Sequence, residues 1–122
     1  MKTSYVSNDI TRPKISFNGY EGILTINGNF NMFQCEKFLN ELIEDFIEYG
    51  VDNTPLLVII DIKYINVECI IGLIHFLRIL NNIFTINVLW KYNNWDTDHQ
   101  ELGTVLRSIL KIPFKLYEHI DD

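Results

Sequence analysis

Residues 56–80 read LLVIIDIKYINVECIIGLIHFLRIL, and this stretch decides the fold. Its first seven residues form a short, continuous apolar run rich in β-branched side chains, which is typical of a strand buried on both faces. Asn66 is a favourable N-cap residue, and the apolar positions after it recur with helical spacing. The stretch therefore predicts a central strand that is followed directly by an apolar helix.

Two alternating segments and one helical segment precede this stretch. The alternating segments are joined by the turn signal Asn18-Gly19, which predicts an opening hairpin whose second strand ends at Gly28. A helical period follows from about residue 32 to residue 49, with apolar residues on one face and acidic residues on the other. The chain before residue 56 therefore predicts two strands and a helix.

The chain after the apolar helix continues to alternate between strand and helix. Residues 85–90 alternate in polarity, Asp96 or Thr97 can cap a third helix, and a last short strand begins at Phe114. The predicted order is β-β-α-β-α-β-α-β. This is an α/β fold with a mixed sheet, in which right-handed crossovers place the helices mainly on one face.

Composition excludes several classes of function. The chain has 122 residues and a formal net charge of −6, without the clustered Lys and Arg that nucleic acid or an anionic membrane surface would require. Residues 1–12 are polar and aperiodic, so we expect a loose arm there, no secretion signal, and a single domain over residues 13–122. His75 and Arg78 interrupt the longest apolar run, so we expect no membrane span and a cytoplasmic protein.

The two cysteines, Cys35 and Cys69, are far apart in the sequence and form no Cys-x-x-Cys pattern. Both fall in predicted helices. Cysteines of this kind in a reducing cytoplasm are usually buried free thiols. We therefore expect two free thiols.

The sequence contains no recognisable catalytic motif, and it predicts no catalytic residue, cofactor or metal site. The alternative is a small hydrolase or metal-dependent enzyme that uses His75, His99 and Asp96. That alternative requires the three side chains to converge in one pocket within hydrogen-bond reach.

The helix after Asn66 carries a polar strip in which two isoleucines project among charged neighbours. Exposed apolar side chains of this kind are typical of a protein contact, although a neighbouring loop could also half-cover them. The residues expected to bind a partner are Glu68, Ile71, His75, Arg78 and Ile79.

A further alternative is a structural homo-oligomer, at its simplest a homodimer, built through the sheet face away from the helices. Three apolar residues are expected on that face, together with polar neighbours. The apolar residues are Leu57, Ile59 and Leu89, and the polar ones are Thr25, Thr85 and Asn87.

Several short segments occur in an order and at spacings that resemble one known family. They are Pro13-Lys14-Ile15-Ser16-Phe17, Gly22-x-Leu24-x-Ile26-x-Gly28, Tyr64-Ile65-Asn66, Trp90-x-Tyr92, Glu101-Leu102-Gly103 and Ile112-Pro113-Phe114. In these segments the chain resembles the SiaC-type regulatory phosphoproteins, which are STAS-like domains related in fold to anti-sigma-factor antagonists. The resemblance extends from about residue 13 to residue 114.

The resemblance implies regulation and not catalysis. A protein of this family is phosphorylated by a partner kinase and reset by a partner phosphatase. In its unphosphorylated form it binds and activates a diguanylate cyclase, which raises cyclic di-GMP. The phosphorylated residue is the Thr of an Asn-Thr-Ser-Ser run at the start of the second helix.

This chain departs from the family at that position, because its run reads Asn66-Val67-Glu68-Cys69. Val67 occupies the position of the phosphorylated Thr and has no hydroxyl group. Asn66 is expected to cap the helix by accepting a hydrogen bond from the backbone N–H of Glu68 or Cys69. Glu68 places a fixed carboxylate in the first turn, either as a charge that a partner reads or only as a residue that stabilises the helix start.

Overall fold

The computed structural model describes residues 2–5, 11–51 and 54–119. It contains six strands and three helices among these residues. In chain order they are β1 (Lys2–Tyr5), β2 (Lys14–Asn18), β3 (Ile23–Phe30), α1 (Cys35–Tyr49), β4 (Leu56–Ile65), α2 (Val67–Phe84), β5 (Ile86–Asn93), α3 (Thr97–Leu110) and β6 (Phe114–His119).

The strands form one mixed sheet in the order β1-β2-β3-β4-β5-β6. The pairs β1–β2 and β2–β3 are antiparallel, and the pairs from β3 to β6 are parallel. The α/β class and the order from β2 onward are as the sequence predicts. Because the parallel strands follow one another in sequence order, crossovers of the usual right-handed sense place their helices on one face of the sheet.

The sequence predicts no strand before residue 14, whereas the structure pairs β1 with β2. Part of the expected loose arm is therefore an edge strand. Its residues give no apolar alternation, because an edge strand can be held by backbone hydrogen bonds to its neighbour alone. The expectation for residues 6–10 lies outside the described residues.

The prediction that the second hairpin strand ends at Gly28 is wrong. Gly28 has φ 106°, a value open to glycine, and the register of β3 against β4 shifts between Gly28 and Asn29. Beyond this bulge β3 continues to Phe30, which is fully buried and pairs with Ile65. The two strands thus run on together to the starts of α1 and α2.

The core lies between the helices and one face of the sheet. On β4, Leu56, Val58 and Ile60 are fully buried, whereas Leu57 and Ile59 between them are only partly buried. The prediction of a strand buried on both faces is therefore wrong. A continuous apolar run cannot show that no helix covers the second face, since that depends on where the crossovers place the helices.

Of the helices that the structure describes, α2 alone is long and apolar enough to cross a membrane, judged by length and composition. The core helix of a soluble protein has the same properties. Leu73, Phe76, Leu77 and Leu80 of α2 are buried in the core of this protein. Burial in the core therefore accounts for part of the apolar character of α2, whereas Val67, Ile71, Ile79 and Ile83 of the same helix are exposed.

The close approach of α3 to β5 depends on Gly103. An added Cβ at Gly103 would lie 2.5 Å from Cδ1 of Trp90 and 2.6 Å from Cδ2 of Leu116. Trp90 is fully buried, and its indole Nε1 donates a hydrogen bond of 3.1 Å to the carbonyl oxygen of His99. The indole cannot move away from a new methyl group without losing this bond.

Gly103→Ala should therefore lower the free energy of unfolding by about 1–3 kcal/mol, the usual range for overpacking a core. Gly72→Ala in α2 is the matched control, because its new Cβ would meet its nearest neighbour at an ordinary 3.4 Å. The control should gain up to about 1 kcal/mol from higher helix propensity. Urea unfolding measures both; a Gly103→Ala protein as stable as the wild type would contradict the packing.

Candidate functional site

The starts of α1 and α2 lie side by side at the carboxyl ends of β3 and β4. The two strands are parallel and paired to their last residues, and the backbone N–H of Asn66 donates to the carbonyl oxygen of Phe30 at 3.2 Å. The carboxyl edge of parallel strands is where α/β proteins commonly place their binding sites. This junction is the candidate site.

Asn66 caps α2 as the sequence predicts. Its side-chain oxygen accepts a 2.8 Å hydrogen bond from the backbone N–H of Cys69. Its amide nitrogen donates to the side-chain oxygen of Asn31 at 3.0 Å. The cap residue of one helix is thereby tied to the segment that leads into the other helix.

Glu68 connects the two helix starts directly. Its Oε1 accepts a 3.0 Å hydrogen bond from the backbone N–H of Gln34, the residue that precedes α1. Gln34 has a left-handed backbone conformation, and its own side chain makes no cap hydrogen bond. The carboxylate of α2 therefore lies at the positive end of α1, where a negative charge contributes about 0.3–1 kcal/mol when exposed.

Cys35 and Cys69 form a disulfide beneath this junction, so the prediction of two free thiols is wrong. Their Cα atoms are 5.4 Å apart, and both side chains are fully buried. Cys35 is the first residue of α1 and Cys69 lies in the first turn of α2. The sequence places them 34 residues apart, and only the pairing of β3 with β4 brings them together.

Two exposed apolar residues flank the hydrogen bond between Glu68 and Gln34. Phe33 precedes Gln34 and is 87% exposed, and Val67 precedes Glu68 and is 71% exposed. Ile71, one turn further along α2, is 49% exposed. We refer to Phe33, Gln34, Val67, Glu68 and Ile71 as the helix-start surface. Phe33 and Gln34 could not be predicted from the sequence, because they lie before a helix that has no side-chain cap.

A depression of about 450 Å³ lies at this surface. Its lining includes charged residues of α1 as well as members of the surface. The lining residues are Gln34, Glu36, Lys37, Glu68 and Ile71. It is an open hollow and not an enclosed ligand pocket, so it suits a protruding side chain of a partner protein.

The remaining residues expected to bind a partner continue along α2. His75 contacts Glu36 of α1 through its Nδ1, 2.7 Å from the carboxylate oxygen. Arg78 donates to the carbonyl oxygen of Ile109 in α3 at 3.5 Å. Ile79 is 38% exposed. Gly72, which lies between Ile71 and His75 in the sequence, is buried against Cys35 of α1.

The residues of the enzyme alternative do not converge. His75 lines a groove between α1 and α2, whereas His99 is buried on α3 and stacks on Trp90 with ring centroids 4.7 Å apart. Asp96 caps α3 and accepts from the backbone N–H of His99 at 3.0 Å. Within the part of the chain that the structure describes, no group of three or more His, Cys, Asp or Glu residues could hold a metal ion.

The sheet face away from the helices has five of the six residues expected on it. Thr25, Ile59 and Leu89 lie in register across β3, β4 and β5, and Leu57 lies beside Asn87. Thr85 does not belong to this face, because it terminates α2 with φ 56°. A residue just before a strand can fit the polar and apolar alternation of the sequence and still lack the backbone conformation of the strand.

Comparison with known proteins gives one family. The model for the SiaC family of regulatory phosphoproteins matches residues 6–119. No curated protein sequence matches the chain.

Solved structures of SiaC from Pseudomonas aeruginosa have a similar fold. In the crystal structure of diguanylate cyclase SiaD in complex with its activator SiaC, one chain matches with a TM-score of 0.79 at 18% identity, covering 93% of this chain and 98% of that chain. SiaC itself matches with a TM-score of 0.76 at 17% identity, with 98% and 99% covered. Apo-SiaC matches with a TM-score of 0.73 at 16% identity, with 95% and 98% covered.

The burial of His99 makes a prediction about pH. Burial disfavours the imidazolium and lowers the pKa of His99 below its ordinary 6.5, although Asp96 and Asp61 oppose the shift. The unfolded chain then binds the proton more readily than the folded protein. The stability from neutral His99 is therefore present above pH 6.5 and is lost as the pH falls toward the lowered pKa.

Urea unfolding at about pH 7.5 and about pH 5.5 tests this. The wild-type protein should be less stable at the lower pH, and His99→Gln should remove part of that difference because glutamine takes up no proton. An equal pH difference in the two proteins would contradict a lowered pKa for His99.

Proposed function

We propose that this chain, which belongs to the SiaC family of regulatory phosphoproteins, is a non-enzymatic cytoplasmic protein that binds and regulates a signalling enzyme. The proposed partner is a diguanylate cyclase. This choice is supported by a chain of similar fold found in the complex of diguanylate cyclase SiaD with its activator SiaC. In this proposal the chain acts by contact, and its partner carries out the chemistry.

The observation that carries the proposal is the apolar exposure at the helix-start surface. Phe33, Val67 and Ile71 are each between 49% and 87% exposed around the single carboxylate of Glu68. Apolar and aromatic groups with few charges are typical of the centre of a protein interface, and charged groups are typical of its rim. Glu36 and Lys37, which line the adjoining depression, would form such a rim.

The contact is proposed to continue along α2 through the strip of Glu68, Ile71, His75, Arg78 and Ile79. Each of these residues lies three or four positions from another member of the strip, so they share one side of the helix. All five are exposed. His75 and Arg78 contact α1 and α3 respectively, which holds their side chains in defined positions at the two margins of the strip.

The proposed regulation differs from that implied by the family resemblance. Val67, at the position of the phosphorylated Thr, has no oxygen to which a phosphate could be attached. The carboxylate of Glu68 is engaged by the backbone N–H of Gln34 and lies one residue from that position. We therefore expect the surface to remain in its unphosphorylated form, which in such a family is the form that binds the cyclase.

A binding experiment tests the function. A diguanylate cyclase should be recovered with the tagged chain from a lysate of its own organism, and adding the pure chain to the purified cyclase should raise cyclic di-GMP production from GTP. Ile71→Asp should weaken binding tenfold or more, about 1.4 kcal/mol, because it puts a charge in the apolar centre of the contact.

Val105→Asp is the matched control for Ile71→Asp. Val105 is 51% exposed on α3, outside the proposed contact, so this variant should bind as the wild type does. Recovery of no signalling enzyme would refute the proposed function. Equal binding by Ile71→Asp and the wild type would refute the proposed surface.

The lost phosphorylation site makes a separate prediction. Val67→Thr restores a hydroxyl at the exposed first residue of α2, where a phosphate would face free backbone N–H groups. Incubated with the kinase of a SiaC-family protein and ATP, this variant should gain the mass of one phosphate, and the wild type should gain none. Val105→Thr, an exposed valine exchanged on α3, should also gain none. Phosphate on the wild-type protein, or on neither variant, would contradict the assignment of position 67.

A further inference from the structure

The disulfide lies directly beneath the helix-start surface. Cys35 begins α1, and Cys69 lies two residues after the exposed Val67 in the first turn of α2. We propose that Cys35 and Cys69 are a redox modification site, at which a disulfide forms and breaks reversibly and thereby fixes or releases the starts of the two helices. The effect on a partner rests on the proposed function, whereas the chemistry of the sulfur pair does not.

Contacts other than the sulfur bond also position the two cysteines. Their Cα atoms are 5.4 Å apart, inside the range that a disulfide spans. The segments that carry them are positioned by the pairing of Phe30 with Ile65, by the cap hydrogen bond of Asn66, and by the bond between Glu68 and Gln34. The pair can therefore open and close while the strands beneath it stay in place.

The dithiol form is also accommodated. The carbonyl oxygen of Met32 lies 3.0 Å from Sγ of Cys35 and 3.5 Å from Sγ of Cys69. In the reduced protein this oxygen can accept the S–H groups, so two buried thiols need not lack a hydrogen-bond partner.

The proposed oxidant is a small disulfide such as glutathione disulfide. One cysteine thiolate attacks it, giving a mixed disulfide and releasing one thiol; the second cysteine thiolate then displaces the other thiol and closes the Cys35–Cys69 bond. The two cysteines together lose two electrons and two protons, and one small disulfide is reduced to two thiols. A dithiol of the thioredoxin class reverses the reaction.

Burial controls the access of these reagents. Both side chains are fully buried, so exchange requires the first turn of α1 or α2 to open locally. Only noncovalent contacts oppose that opening once the disulfide is reduced, and the two that involve Glu68 and Asn31 are exposed hydrogen bonds. We therefore expect the reduced junction to open more often than the oxidised one.

The partner-independent test is thiol trapping combined with amide hydrogen exchange. The folded protein is equilibrated with glutathione at graded ratios of thiol to disulfide, quenched in acid, unfolded in denaturant with a maleimide that alkylates every free thiol, and weighed intact. Alkylation at two sites should give way to alkylation at none within the graded series, and reduction should speed exchange at Gln34 and Cys69 at least tenfold while β4 and β5 remain unchanged. A pair that stays fully reduced or fully oxidised at every ratio would overturn the proposal, as would unchanged exchange.

The double variant Cys35→Ser, Cys69→Ser is the control, since its hydroxyls can still donate to Met32 but cannot form a covalent bond. It should exchange as the reduced wild type does at every glutathione ratio. If this variant fails to fold, wild-type protein reduced with a phosphine provides the same comparison without a substitution.

The affinity for the cyclase, measured in the oxidised and in the reduced state, separates redox control of the contact from the proposed function. The oxidised protein should bind the diguanylate cyclase at least tenfold more tightly than the reduced protein, because a surface that is already ordered loses less conformational freedom on binding. Equal affinity in both states would overturn redox control of the contact and leave the proposed function standing. Binding in neither state would overturn the proposed function. Thiol trapping and amide hydrogen exchange would still show whether the disulfide forms reversibly.

Discussion

The parallel pairing of β3 with β4 is the constraint on which the rest of the site depends. A parallel pair ends with both carboxyl ends at one edge, and each strand here is followed within a few residues by a helix. The starts of α1 and α2 must therefore meet. The bulge after Gly28 extends this pairing to Phe30 and Ile65, so that the last paired residues lie next to the helix caps. Without that extension, Asn31 would not reach Asn66, nor Gln34 reach Glu68.

The junction is held by a different kind of interaction from the opposite end of the helix layer. Between α3 and β5 the contact is close packing, with Gly103 against the indole of Trp90 and His99 stacked on the same ring. Between the starts of α1 and α2, hydrogen bonds and one covalent bond between sulfurs add to the packing of Gly72 against Cys35. The close packing of α3 on β5 has a single arrangement, whereas the hydrogen bonds and the disulfide between α1 and α2 can be made and broken individually. A regulated contact is therefore more readily built at the starts of α1 and α2.

Much of the fold could be predicted from the sequence, and less of the site. Asn66 was identified as a helix cap because capping is a local interaction, completed by Cys69 three residues away. The exposure of Ile71 and Ile79 followed from their place on the helical wheel. The roles of Gln34 and Cys35 were not found, because each depends on a residue 34 positions away. β1 was missed because its backbone, and not an apolar pattern, pairs it with the sheet.

The sequence by itself determined the alternation of strands and helices, the cap of α2 and the absence of a hydroxyl at position 67. These properties follow from periodicity, from contacts within one helical turn, and from the covalent structure of a side chain. Tertiary structure alone decided that Cys35 meets Cys69, that the carboxylate of Glu68 serves the other helix, and that none of the described helices lies over one face of β4. Those outcomes depend on strand register and on the side to which each crossover returns, and neither is encoded in the spacing of neighbouring residues.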